Sequence, residues 1–114
     1  MNDIPHQAAL LRIYTEEASR DGQRPLFESI VLKARDRNLA GATVLRGPMG
    51  FGGSARLHTA TILDLSANLP VVIEIVDDEA ALRDFAASLS GLPDIGLMTI
   101  EKVEVLHGAR RRAG

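Results

Sequence analysis

The sequence predicts an α+β fold in which a four-stranded antiparallel sheet carries two helices on one face. Three observations lead there. Strand-like and helix-like hydrophobic periods alternate twice along the chain in the same order, each helical segment carries start or stop chemistry, and 114 residues suit one domain. At that length a chain buries roughly two-thirds of the surface it exposes when unfolded, enough for one core.

The first strand is read over residues 8–15, where Ala9, Leu11 and Ile13 share one face and Leu10, Arg12 and Tyr14 the other. Residues 16–24 are polar and contain Asp21-Gly22, a turn signal, with Glu16 and Glu17 assigned to a solvated turn. Pro25 then opens a helix in which Phe27, Ile30, Val31 and Ala34 recur at helical spacing, running to about Leu39. Gly41 is expected to supply the left-handed stop. Strand chemistry returns over residues 42–46.

The second half repeats the order. Residues 71–76 form a nearly unbroken β-branched run that suits a strand covered on both sides. Asp78 is the expected N-cap of a second helix, whose apolar stripe is Leu82, Phe85, Ala86 and Leu89, and Gly91 with Pro93 ends it. A last strand is read over residues 95–106. Two strand-helix-strand units in one small domain define the ferredoxin-like βαββαβ layout. A single domain covers residues 1–114, with its core at about 8–107, a connector at about 47–69 and a tail at 108–114. One sheet face remains without helices, and Leu10 and Tyr14 make it too apolar to leave wet, so self-association through it is expected.

Composition excludes several classes. The absence of cysteine rules out a disulfide framework and thiolate metal ligation. Thirteen Lys+Arg against fifteen Asp+Glu leave a net charge of -2, so there is no basic field for a nucleic acid. No stretch approaches the ~18 apolar residues that cross a membrane, and the opening MNDIPHQ is not a leader, so a cytoplasmic protein is expected.

The connector holds the main candidate site. Gly47, Gly50, Gly52 and Gly53 fall within seven residues, which gives the backbone access to positive φ and lets its N–H groups face an anion. The run ending at Ser54 fits GxxxxGxS, but Gly53 stands where a phosphate-binding loop has lysine, and GxGxxG is absent. A bulged hairpin is the competing reading of the same glycines. Arg46, Arg56 and His58 flank the loop and can give charge-assisted bonds to phosphate or carboxylate.

Elsewhere the chemistry is thin. His6, His58 and His107 lack the spacing of a metal site, and Asp77-Asp78-Glu79 is better explained by helix capping. No serine sits in a GxSxG elbow, and the basic Arg110-Arg111-Arg112 triplet lies in the tail. No catalytic residue, cofactor or metal is expected, and the chain is read as a non-enzyme.

Gly41-Ala42-Thr43-Val44 followed by Gly50-Phe51-Gly52 resembles the second strand of the PII signal-transduction proteins as it enters their long T-loop. With Leu11-Arg12-Ile13-Tyr14, Leu57-His58-Thr59 and Leu69-Pro70-Val71-Val72-Ile73-Glu74 added, residues 8–107 resemble an uncharacterised PII-like branch, the DUF190 family. The resemblance implies a ferredoxin-like homotrimer with nucleotides or similar metabolites in its inter-subunit clefts, and a membrane transporter or channel as a partner. PII proteins follow Gly-Phe-Gly with Arg-Gln-Lys where this chain has Gly53, Ser54 and Ala55, and their modified T-loop tyrosine has no counterpart, Tyr14 being the only tyrosine. The resulting expectation is a trimeric sensor of a small anionic metabolite, held by Arg46, Gly47, Gly50, Gly52, Gly53, Ser54, Arg56 and His58. A cation-tolerance-like metal-binding trimer and a ligand-free partner module are the rivals.

Overall fold

A computed structural model describes residues 4–52, 57–59 and 68–108, with no account of the His58 side chain. The first strand, β1 (Gln7–Glu16), is followed by a two-residue-per-strand hairpin, β2 (Arg20–Asp21) and β3 (Arg24–Pro25), and by helix α1 (Leu26–Asp36). After it come β4 (Thr43–Arg46), β5 (Met49–Gly50), β6 (His58–Thr59), β7 (Pro70–Asp77), α2 (Glu79–Ser88) and β8 (Met98–Glu104). The main sheet has the order β4-β7-β1-β8, and every pair in it is antiparallel. This is the ferredoxin-like arrangement that the two strand-helix-strand units predict.

Alternation along the two central strands separates the faces. Ala9, Leu11 and Ile13 of β1, with Val71, Ile73 and Ile75 of β7, are buried beneath the helices. Leu26, Ile30 and Ala34 of α1 and Leu82 and Phe85 of α2 close this core, together with Leu39 and Leu89 just beyond the helix ends. The strand over residues 70–77 is thus fully buried on one side only, because its alternate residues are half-buried. The expectation of cover on both faces is not met within one chain.

The helix ends correct two details. α1 stops at Asp36, and the left-handed residue is Asn38 at φ 60, whereas Gly41 is outside that region. Asparagine tolerates this conformation, so the chain turns three residues earlier than the glycine suggested. α2 is capped as predicted, the Asp78 carboxylate accepting from the Ala81 N–H. Asp77 is fully buried; its carboxylate accepts from the N–H groups of Ala40 and Asp78 and so ties the α1-β4 link to the start of α2. The acidic triplet thus has structural employment, as capping chemistry predicted.

β8 begins at Met98 rather than at residue 95, because Asp94 takes φ 64 and bends the segment before it. Gly22, also at φ 64, makes the turn of the small β2-β3 hairpin, which falls in the polar segment read around Asp21-Gly22.

Candidate functional site

The end of the sheet where β1 finishes, β7 begins and β8 is entered carries a cavity of about 770 Å³. Four separate segments build it. β1 contributes Tyr14 and Glu16, the foot of the connector contributes Phe51 and Asn68, and Pro70 opens β7. Ile95, Gly96 and Leu97 form the opposite wall, ahead of β8.

Backbone bonds fix that wall. Tyr14 N–H donates to Leu97 O and Gly96 N–H donates back to Tyr14 O, both at 2.9 Å, while the Thr15 hydroxyl donates to Asp94 O at 3.0 Å. A Cβ on Gly96 would stand 3.2 Å from Tyr14 O, which is why glycine occupies this close approach. Phe51 is 71% exposed and Leu97 61%, so an aromatic ring and an aliphatic side chain border the cavity without being consumed by the core.

The charges are arranged around the rim. Glu16 and Asp94 are the charged residues of the described lining, which includes no cation. Arg46 stands beside the cavity, opposite Val71 in the β4-β7 register, and its guanidinium pairs with Glu17. Glu16 accepts from the Asn68 amide at 2.9 Å, and Asn68 Oδ1 in turn accepts from Ala18 N–H at 2.7 Å. The expected solvated turn at Glu16-Glu17 is therefore a structural junction. Local sequence could not reveal it, since its partners lie 29 and 52 positions away.

The expected site residues divide into two groups. Arg46, Gly47, Gly50 and Gly52 are brought to this end of the molecule. Gly53, Ser54 and Arg56 lie outside the described residues, as does the side chain of His58. β5 and β6 pair as a separate antiparallel ribbon, Gly50 opposite His58. Gly47, Gly50 and Gly52 are all outside the left-handed region. For two of them closeness explains the glycine: a Cβ would stand 3.1 Å from Pro70 Cγ at Gly47 and 3.2 Å at Gly50. Sequence reasoning missed Glu17, Asn68 and residues 94–97. The only local signal was the Pro93-Asp94-Ile95-Gly96 turn composition.

The helix-free sheet face is continuous with the cavity through Tyr14 and Pro70. Leu10, Tyr14, Val72 and Val76 are half-buried on it, and Leu45 is exposed. At its centre Arg12 donates to Glu74 at 3.0 Å and to Glu101 at 2.6 Å. The Glu74 hydrogen bond, followed by that to Glu101, raises the Arg12 guanidinium above its ordinary value, so it stays charged. Among the described residues no group of three or more His, Cys, Asp or Glu is placed to hold a metal ion. Within the same residues no helix is long and apolar enough to cross a membrane.

The fold of this chain is similar to that of two solved structures. A structure described as CPII bound to ADP and bicarbonate, from Thiomonas intermedia, superposes with a TM-score of 0.66 at 15% identity, covering 87% of this chain and 88% of that one. A putative PII-like signalling protein from Thermus thermophilus gives 0.63 at 16% identity, over 92% and 93%. The particular family follows from sequence: the DUF190 model, described as Uncharacterized ACR, matches residues 8–105, and the chain belongs to that family. A UPF0166 protein of Aquifex aeolicus is 36% identical over 98 residues, covering 86% of this chain and 92% of its own. Another, from Methanocaldococcus jannaschii, is 31% identical over 105 residues, covering 90% and 94%.

Proposed function

We propose that the chain is a non-enzymatic, PII-like regulatory protein that binds a small anionic metabolite at the end-of-sheet cavity, with a nucleotide as the leading ligand class. The observation that carries this reading is the cavity itself, formed at both roots of the connector and bordered by exposed Phe51, with Arg46 opposite the lining residue Val71 on the neighbouring strand. A planar base stacks on an aromatic ring, and its phosphate takes a guanidinium beyond the acidic lining. The neighbour in fold that is described as bound to ADP and bicarbonate supports the same ligand class.

A homotrimer completes the site. Its seams cover the helix-free face, and because that face runs into the cavity at Tyr14 and Pro70, a neighbouring copy supplies the missing wall. Ligand binding then orders the connector over residues 47–69, which a transporter, channel or other partner reads as a change of population. The expected setting is the cytoplasm.

Calorimetry against ADP, ATP, cyclic dinucleotides and bicarbonate tests the reading, with sedimentation to give the particle mass. Saturable heat is expected for at least one nucleotide, weakened about fivefold or more by Phe51→Ala, since base-aromatic stacking contributes about 1–3 kcal/mol. Silence across the panel, or a Phe51→Ala variant that binds as tightly as the parent, overturns it.

A further inference from the structure

The turn at residues 16–18 touches both roots of the connector. On the entry side, Arg46 at the end of β4 pairs with Glu17, and the next residue, Gly47, donates its N–H to Pro70 O at 2.8 Å. On the exit side, Asn68 bridges the Glu16 carboxylate and the Ala18 N–H, while Glu17 N–H donates to Leu69 O at 2.9 Å. Three consecutive residues thus hold segments that leave and re-enter the sheet about twenty residues apart, and Glu16, Ala18, Asn68 and Pro70 among them line the cavity.

We propose that residues 16–18 are a clasp on the connector, and that an anion entering beside the cavity opens it by taking Arg46 from Glu17. This deepens the reading above, and its second half rests on that reading. Glu17 occupies the position a ligand's negative group would take, so it acts as an internal competitor and a positioning residue. The two halves of the clasp differ in kind. The Asn68 side is made of hydrogen bonds from neutral donors, so it offers an incoming anion no cation. The Arg46 side is an ion pair whose arginine side chain is 61% exposed. Exposed pairs are weak, equivalent to about fivefold or less in an equilibrium, and salt screens them. A single phosphate or carboxylate group is therefore strong enough to displace Glu17 and too weak to disturb the sheet.

Residue-resolved amide exchange by NMR on the full chain tests the clasp without requiring any particular ligand. Glu17→Gln is expected to speed exchange of the Gly47 amide about three- to fivefold while leaving the Leu11 and Ile75 amides of the central strands unchanged. The reversed pair, Glu17→Arg with Arg46→Glu, is expected to restore the parent rate, and 0.5 M sodium chloride to mimic Glu17→Gln in the parent alone. Unchanged Gly47 exchange in Glu17→Gln overturns the clasp, as does a reversed pair that fails to restore it. Inorganic pyrophosphate and ADP are then titrated separately. Faster Gly47 exchange in the parent with pyrophosphate, and none in Glu17→Gln, is expected for an anion trigger; no change with pyrophosphate overturns the trigger. ADP that binds the parent several-fold more weakly than Glu17→Gln supports both readings. ADP that binds both equally overturns the competition and leaves the nucleotide reading standing. A pyrophosphate response without ADP binding counts against the nucleotide and for the clasp.

Discussion

The two faces of the sheet are made from the same strands and differ in who finishes them. Beneath the helices, Ile13, Ile73 and Ile75 meet Phe85, Leu82, Leu26 and Ile30, and each is sealed by this chain. On the opposite face the alternate residues Leu10, Arg12, Tyr14, Val72, Glu74 and Val76 are all half-buried, with an arginine held between two carboxylates at the centre. A surface made only for water would not place branched and aromatic side chains around such a group, and a core would not admit it. The difference shows that burial within one chain identifies the core but not the whole apolar surface.

The sharpest way to test the contrast is to truncate one large residue on each face. Phe85→Ala is expected to destabilise the chain by about 3–5 kcal/mol in denaturant unfolding, since the ring is fully buried and leaves a void. Leu10→Ala should cost about 1 kcal/mol at high dilution. A larger loss that grows with protein concentration would show that another copy covers Leu10.

Asp77→Ala probes the polar edge of the covered side. Removing the carboxylate leaves the N–H groups of Ala40 and Asp78 without this acceptor, and a loss of about 2 kcal/mol is expected by chemical denaturation. Asp78→Ala removes only the cap of α2 and should cost about 1 kcal/mol, read as a lower thermal midpoint. The smallest effect on the chain itself belongs to Arg12→Met, whose bonds to Glu74 and Glu101 are partly open to solvent. Its stability should stay within about 1 kcal/mol of the parent, while sedimentation shows weaker association because two carboxylates lose their shared cation.

Much of the fold was legible because its signals are local. Alternation at Leu11, Arg12, Ile13 and Tyr14 needs only a pleat, and the cap at Asp78 needs only the residues that follow it. The Gly41 stop failed for the same reason: two residues compatible with a left-handed turn lay near one another, and packing of Leu39 into the core selected Asn38. For the site, Arg46 and the glycine-rich foot were visible as composition. Their surroundings were not. Gly47 and Gly50 owe their identity to the Pro70 ring, more than twenty positions away in one case and twenty in the other.

The sequence alone determined the order of strands and helices, the apolar residues of the covered face, the helix cap and the family, because each depends on neighbours a few positions apart or on a contiguous pattern. Only the tertiary structure decided that Glu17 meets Arg46, that Asn68 returns to Glu16 and Ala18, and that Phe51 and Leu97 border one cavity. These pairings depend on the path of the whole backbone through space, which brings residues from separate segments within bonding distance and leaves no periodic trace along the chain.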